Sequence, residues 1–226
     1  MLAFLNESSR ASKRRLLSAA CCRRFWDLLT DERSRSAVAV AERYADGIAS
    51  RHELLAAQQA AKAAGPPIID GDFRSPERQA AAAGAVAASD PVLDKALRAL
   101  AWLKGVRLAQ GYRRQIESGL FDEGRSSSAI MYQASTEWGK ESATLLRELF
   151  AGPARGGQGL DSSSLTQNAL ALAREMYDSG TFNRMPALAD ALQAAGCTDD
   201  DILRHCRAQI AHVRGCWVLD LILNRE

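Results

Sequence analysis

Histidine is scarce in this 226-residue chain, with three copies, and proline is held to six. Alternating stretches of β-branched residues do not occur, and "PPIID" is too short to count as a strand. These gaps exclude a sheet-based fold. No apolar segment approaches the roughly 20 residues that a membrane-spanning helix needs. Neither sign of charge dominates, since 29 Lys and Arg stand against 27 Asp and Glu. A balance this close gives no strong overall field to draw the chain to nucleic acid or to an acidic membrane. HExxH, an EF-hand loop, G-x-S-x-G and a dinucleotide fingerprint are all missing. "GPARGGQG" is rich in glycine, but Leu160 and Asp161 follow its last Gly where a phosphate loop needs Lys and Ser or Thr.

Apolar residues make up 47% of the chain, enough for a substantial core. The five cysteines are an odd number, and Cys21 and Cys22 are adjacent, a geometry that disfavours pairing. "MLAFLNESSR" lacks the apolar run of a secretory signal. Free thiols in a reducing cytoplasm are the expectation.

Helix signals fill most of the remainder. "ASKRRLLSAACCRRFWDLL" places Leu16, Leu17, Ala20, Cys21, Phe25, Leu28 and Leu29 on one face. Thr30 is positioned to cap "DERSRSAVAVAERYADG", whose stripe is Val38, Ala41, Ala45 and Ile48. Ser50 and Glu53 form a capping box before "RHELLAAQQAAKAAG". "GPPIIDGDFR" reads as a connector. Ser75–Pro76 and Asp90–Pro91 read as helix starts, the first before an Ala-rich helix, the second before a long one ending near Gly119. "GLFDEGRSSS" breaks the pattern, and a further helix over 128–150 carries Met131, Leu145, Leu146 and Leu149. "AGPARGGQGLDSSS" is a loop. Four helical segments follow, and Thr198 with Asp201 resembles a capping box for the third. The expected fold is all-α, an irregular array of about eight to ten helices. The expected divisions are a helical segment over 1–64, a connector over 65–75, an Ala-rich middle over 76–150, a Gly/Ser-rich loop over 151–164 and a helical segment over 165–226. The two ends are candidates for one domain. Leu17, Cys21, Phe25, Leu188, Leu192, Trp217 and Leu221 are the expected core.

Chemistry concentrates in "LRHCRAQIAHVRGCW". Cys206, His212 and Cys216 read C-x5-H-x3-C, with Cys197 upstream and His205 beside Cys206. Zinc needs four converging N or S donors, and the chain has no CxxC. His205 and Cys206 lie about 100° apart around a helix and point away from a shared ion. Core packing therefore ranks ahead of a metal site built from Cys197, Cys206, His212 and Cys216, with His205 as a further donor. Asp201 and His205, four residues apart, can pair on a helix, but nothing in the sequence brings a nucleophile to them. Arg14, Arg15, Arg23 and Arg24 offer a basic face to phosphates, although a solvated face is the commoner outcome. "PALADALQAAGCTDDDILRHC" has a helix-turn-helix outline, but three aspartates open its second helix and would repel DNA.

"LSAACCRRFWDLLTDERSRSAVAVAERYADG" and "ALAREMYDSGTFNRMPALADALQAAGCTDDDILRHCRAQIAHVRGCWVLDLIL" resemble a large all-helical bacterial family that is expanded in planctomycetes and has no assigned activity. The resemblance covers the two ends, roughly half of the chain. It implies cytosolic helical proteins in many paralogous copies and brings no catalytic residue or cofactor. Members often carry extra residues before the part matching "MLAFL", so this chain is expected to begin late or to lack a short helix. They also tend to carry a Gly-Asn-Pro-Phe-Arg-Pro run where this chain has "AGPARGGQG".

A non-enzymatic interaction or scaffold module with a protein partner and no cofactor is the leading expectation. A nucleic-acid module using the four arginines comes second. A zinc- or thiol-dependent protein using the C-terminal Cys/His cluster comes third.

Overall fold

The computed structural model describes residues 11–64, 93–119, 123–151 and 165–225. Among them the chain is all-helical, with nine α-helices and no strand. It divides into two compact units, Met1–Ala143 and Thr144–Glu226. This division falls inside the expected 76–150 segment. No described helix is long and apolar enough to cross a membrane.

The first unit contains α1 (Ala11–Arg23), a 3-10 turn (Trp26–Leu28), α2 (Glu32–Ala45), α3 (Arg51–Ala64), α4 (Leu93–Glu117) and most of α5 (Glu123–Phe150). α1 packs on α2 and α4, and α2 packs on α3. α1 is central: every residue of Arg14–Cys22 is buried, so it does not present the one apolar face expected of it. Its long cationic side chains lie along aromatic rings, which accept a guanidinium on their negative faces. Arg15 lies 4.8 Å over Tyr44, and Arg23 lies 4.0 Å over Trp26 while holding Glu42 with both its Nε and Nη2. Arg107 of α4 bonds Glu141 of α5, with Nε donating to Oε2 at 3.2 Å, and its guanidinium covers Phe25.

Several local expectations change. Asp31, not Thr30, caps α2, accepting from the Arg33 N–H at 2.9 Å. Ile48 is 66% exposed because Gly47, at φ 73°, turns the chain away before it. α5 begins at Glu123, so "GRSSS" is helical. Ile130 faces inward on it, while Met131 is exposed. The Ser50–Glu53 capping box forms as expected. The starts at Ser75–Pro76 and Asp90–Pro91, the Ala-rich helix, the connector over 65–75 and all of the 151–164 loop after Ala151 lie outside the described residues.

The second unit contains the end of α5, then α6 (Gln167–Ser179), α7 (Met185–Ala194), α8 (Asp200–Arg207) and α9 (Trp217–Leu223). Thr166 caps α6, and Gly180 ends it in the left-handed conformation at φ 67°. α6 packs on α7 and α9, and α8 packs on α7 and α9. Leu172, Met176, Leu188, Leu192, Ile202 and Leu219 are buried at their junction. Of the seven expected core residues six are buried, and Leu221 is half-buried against the same cluster.

Asp199, not Thr198, caps α8, accepting from the Asp201 and Ile202 N–H groups at 2.9 and 3.2 Å. Asp199→Ala therefore is expected to cost about 1 kcal/mol in urea unfolding. Thr198→Ala should cost much less. Equal effects would show that Thr198 shares the cap.

Candidate metal centre

α8 carries two neighbouring side chains to different places. Cys206 turns into the apolar core with Cys197, and burial pushes its thiol up to about 12. His205, about 100° around the helix, turns instead toward Glu148, His212 and Cys216. One donor atom from each of these four residues lies within 4.8 Å of all the others.

Each donor arrives on a different local structure. Glu148 sits in the last turn of α5, on the stripe that also carries the buried Leu145 and Leu149. The segment between α8 and α9 supplies His212 and Cys216. Gly215, at φ 85°, allows the turn in which the Cys216 N–H bonds the Val213 carbonyl at 3.0 Å. Cys216 is then the residue before α9. Arg214 anchors this segment from outside. Its Nη2 donates to the Tyr177 carbonyl at 2.6 Å, in the last turn of α6, and its guanidinium covers the Tyr177 ring. It thereby satisfies a helix-end carbonyl that would otherwise need water.

The centre is dry on most sides. Glu148 and Cys216 are 0% exposed, and the His212 and His205 side chains are 3% and 12% exposed. His212 Nδ1 lies 3.1 Å from Glu148 Oε2. His205 Nε2 lies 3.1 Å from Cys216 Sγ and 3.3 Å from Glu148 Oε1. On the other side of the ring, the Trp217 indole N–H donates to His205 Nδ1 at 3.1 Å. Indole nitrogen only donates, so Nδ1 is the bare nitrogen and Nε2 carries the proton. Burial holds the His205 pKa below its ordinary value, outweighing the pull of the Glu148 carboxylate, while His212 adds to the lowering. The 3.3 Å contact thus joins a carboxylate to a neutral ring rather than to an imidazolium. Burial first, and Glu148 second, push the Cys216 thiol well above its usual range.

These protonation states disfavour thiol catalysis. A base for Cys216 needs a free nitrogen facing sulfur, and the facing nitrogen already bears hydrogen. They leave a deficit that a cation would relieve. Glu148 Oε1 and His212 Nε2 are buried and have no hydrogen-bond partner among the described residues. A tetrahedral zinc ion holds N, O and S donors at about 2.0–2.3 Å, which sets them about 3.4–3.6 Å apart. The closest pairs, His205 Nε2 with Cys216 Sγ at 3.1 Å and with Glu148 Oε1 at 3.3 Å, need shifts of a few tenths of an ångström. The widest donor spacing, up to 4.8 Å, has to close by about 1 Å around an ion. One carboxylate and one thiolate balance a doubly charged ion, and two neutral imidazoles complete the set.

A cleft of about 520 Å³ opens against the centre, with Glu148, His205 and Trp217 among its lining. Asp201 and Arg204 also face it, and Arg204 pairs with Asp201 at 3.1 Å.

Of the four sequence-derived metal candidates, His212 and Cys216 meet here, while Cys197 and Cys206 belong to the core. His205 joins the first two. Glu148 was missed, because it lies 64 residues before His212 in a segment with no spacing motif. The available signal was an acidic residue on an otherwise apolar helix stripe. The four arginines do not form one exposed face: Arg14 and Arg15 are buried, Arg24 is half-buried, and the exposed Arg23 is tied to Glu42. Comparison with protein-family models, curated proteins and solved structures yields no match for this chain.

Proposed function

We propose that the C-terminal unit is a zinc-binding helical module, in which one ion held by Glu148, His205, His212 and Cys216 organises the α8–α9 segment. The observation that carries this reading is the convergence of four donors, Glu148 and Cys216 buried and the two histidines partly so. Sulfur and imidazole donors select zinc over magnesium or calcium, which take oxygen ligands. Four protein donors leave no open position, so the role is structural and not catalytic. A non-enzymatic module accords with the missing catalytic motifs. Its partner is proposed to be another protein and its compartment the cytoplasm.

The test is metal content. Protein purified without chelator should carry close to one zinc per chain by elemental mass spectrometry. Cobalt in its place should give the thiolate charge-transfer band and visible bands of a tetrahedral ion. Glu148→Gln keeps the shape of the donor but removes its charge, and is expected to weaken zinc about 100-fold or more, given that a structural zinc site is worth roughly 10–16 kcal/mol over four ligands. No zinc in the purified wild type, and none taken up on reconstitution, would overturn the reading.

A further inference from the structure

Trp217 stands where a metal-binding histidine usually has an acceptor. A ligating imidazole bonds the metal through one bare nitrogen and donates the N–H of the other to a carboxylate, a carbonyl or water. His205 has the reverse arrangement. Its outer nitrogen, Nδ1, accepts from the Trp217 indole, and its inner nitrogen, Nε2, faces Cys216 and Glu148.

We propose that Trp217 sets the zinc affinity of this centre by competing for His205, and that it carries metal occupancy to the cleft. The inference rests on the zinc reading above. Binding at Nε2 forms a Zn–N bond in place of the Nε2–H bond. That proton leaves to solvent, and Nδ1 takes one up to keep the ring neutral. Cys216 also releases its thiol proton as the Zn–S bond forms. Nδ1–H then meets the indole N–H, two donors face to face with no acceptor between them. Retaining the indole bond would require an imidazolate, a third anion beside the carboxylate and thiolate on one doubly charged ion. The Trp217–His205 bond therefore breaks when the metal enters.

The break does not stay local. Trp217 is the first residue of α9, its ring centroid lies 5.0 Å from that of His205, and both rings line the cleft. A turned or displaced indole changes the wall of a cleft that Arg147, Arg204 and Ile210 also line. The cleft has one shape with zinc and another without it, so the module reads metal occupancy out as a surface.

The experiment uses the full chain labelled with 15N, stripped of metal and titrated with zinc chloride. The indole N–H resonance of Trp217 is identified by its loss in Trp217→Phe. With one equivalent of zinc it should shift and its hydrogen should exchange faster with solvent. Trp217→Phe cannot make the competing bond, so it should bind zinc about three- to tenfold more tightly than the wild type. A residue that only packs would weaken the site when truncated. If zinc binds but the indole resonance does not move, or if Trp217→Phe binds equally or more weakly, this inference fails and the zinc reading stands. If neither protein takes up zinc, the zinc reading itself fails. The wild-type resonance is also assigned by the through-space contacts of its hydrogen with the His205 ring, so it gives an answer even if the variant folds poorly.

Discussion

Zinc at a hundred times its dissociation constant is expected to raise the melting temperature of the C-terminal transition by roughly 10–20 °C, and a strong chelator should remove that gain. The size follows from linkage. A ligand that binds the folded state alone, at a hundred times its dissociation constant, stabilises by about 2.7 kcal/mol. A unit of this size shifts roughly 4–8 °C per kcal/mol. The four donors come from the end of α5, from α8 and from the segment before α9, so unfolding scatters them. Magnesium should give no shift, because the donor set is mostly nitrogen and sulfur. Glu148→Gln should lose most of the zinc effect at the same metal concentration. Calorimetry of the full chain with zinc, with magnesium and with chelator makes the comparison. Identical melts in all three would remove the structural role for zinc.

Leu188→Ala should cost roughly 2–5 kcal/mol, the second large effect. Leu188 is fully buried on α7, inside the cluster formed with α6, α8 and α9. Truncation removes apolar contact and leaves a cavity that the surrounding short helices close only in part. The loss comes from the core and not from the ligands, so it should persist in chelator and add to the loss of metal. Urea unfolding with and without chelator separates the two. A Leu188→Ala cost that vanished in chelator would mean that the core exists only around the ion.

The helices were legible because their signals are local. The Ser50 and Glu53 side chains each accept from the other's backbone N–H across three residues, and Gly180 ends α6 in the left-handed conformation that glycine adopts readily. Caps were harder where acidic and hydroxyl residues crowd together. At Thr30–Asp31 and Thr198–Asp199 the aspartate took the cap in each case, one residue later than the hydroxyl. The face of α1 was not legible, because Arg14 and Arg15 read as solvated until Tyr44 and the surrounding helices enclose their aliphatic stems. For the centre, the His205–Cys206 offset already implied that only one of the two could join His212 and Cys216. Which one depended on where Glu148 lay, and that is a tertiary fact. No spacing rule reaches 64 residues across a helix boundary.

The centre also has a topology of its own. Zinc would act as a cross-link that closes two rings of very different length, since His205 and Cys216 are 11 residues apart and Glu148 and His212 are 64 apart. Ring closure costs about 0.6 kcal/mol more for each doubling of length, so the short ring is favoured by roughly 1.5 kcal/mol. Order of assembly follows from that difference. The three donors near α9 can gather on the ion as a clip while the rest of the chain is still open. Glu148 then closes the long ring and fastens the end of α5 to the clip.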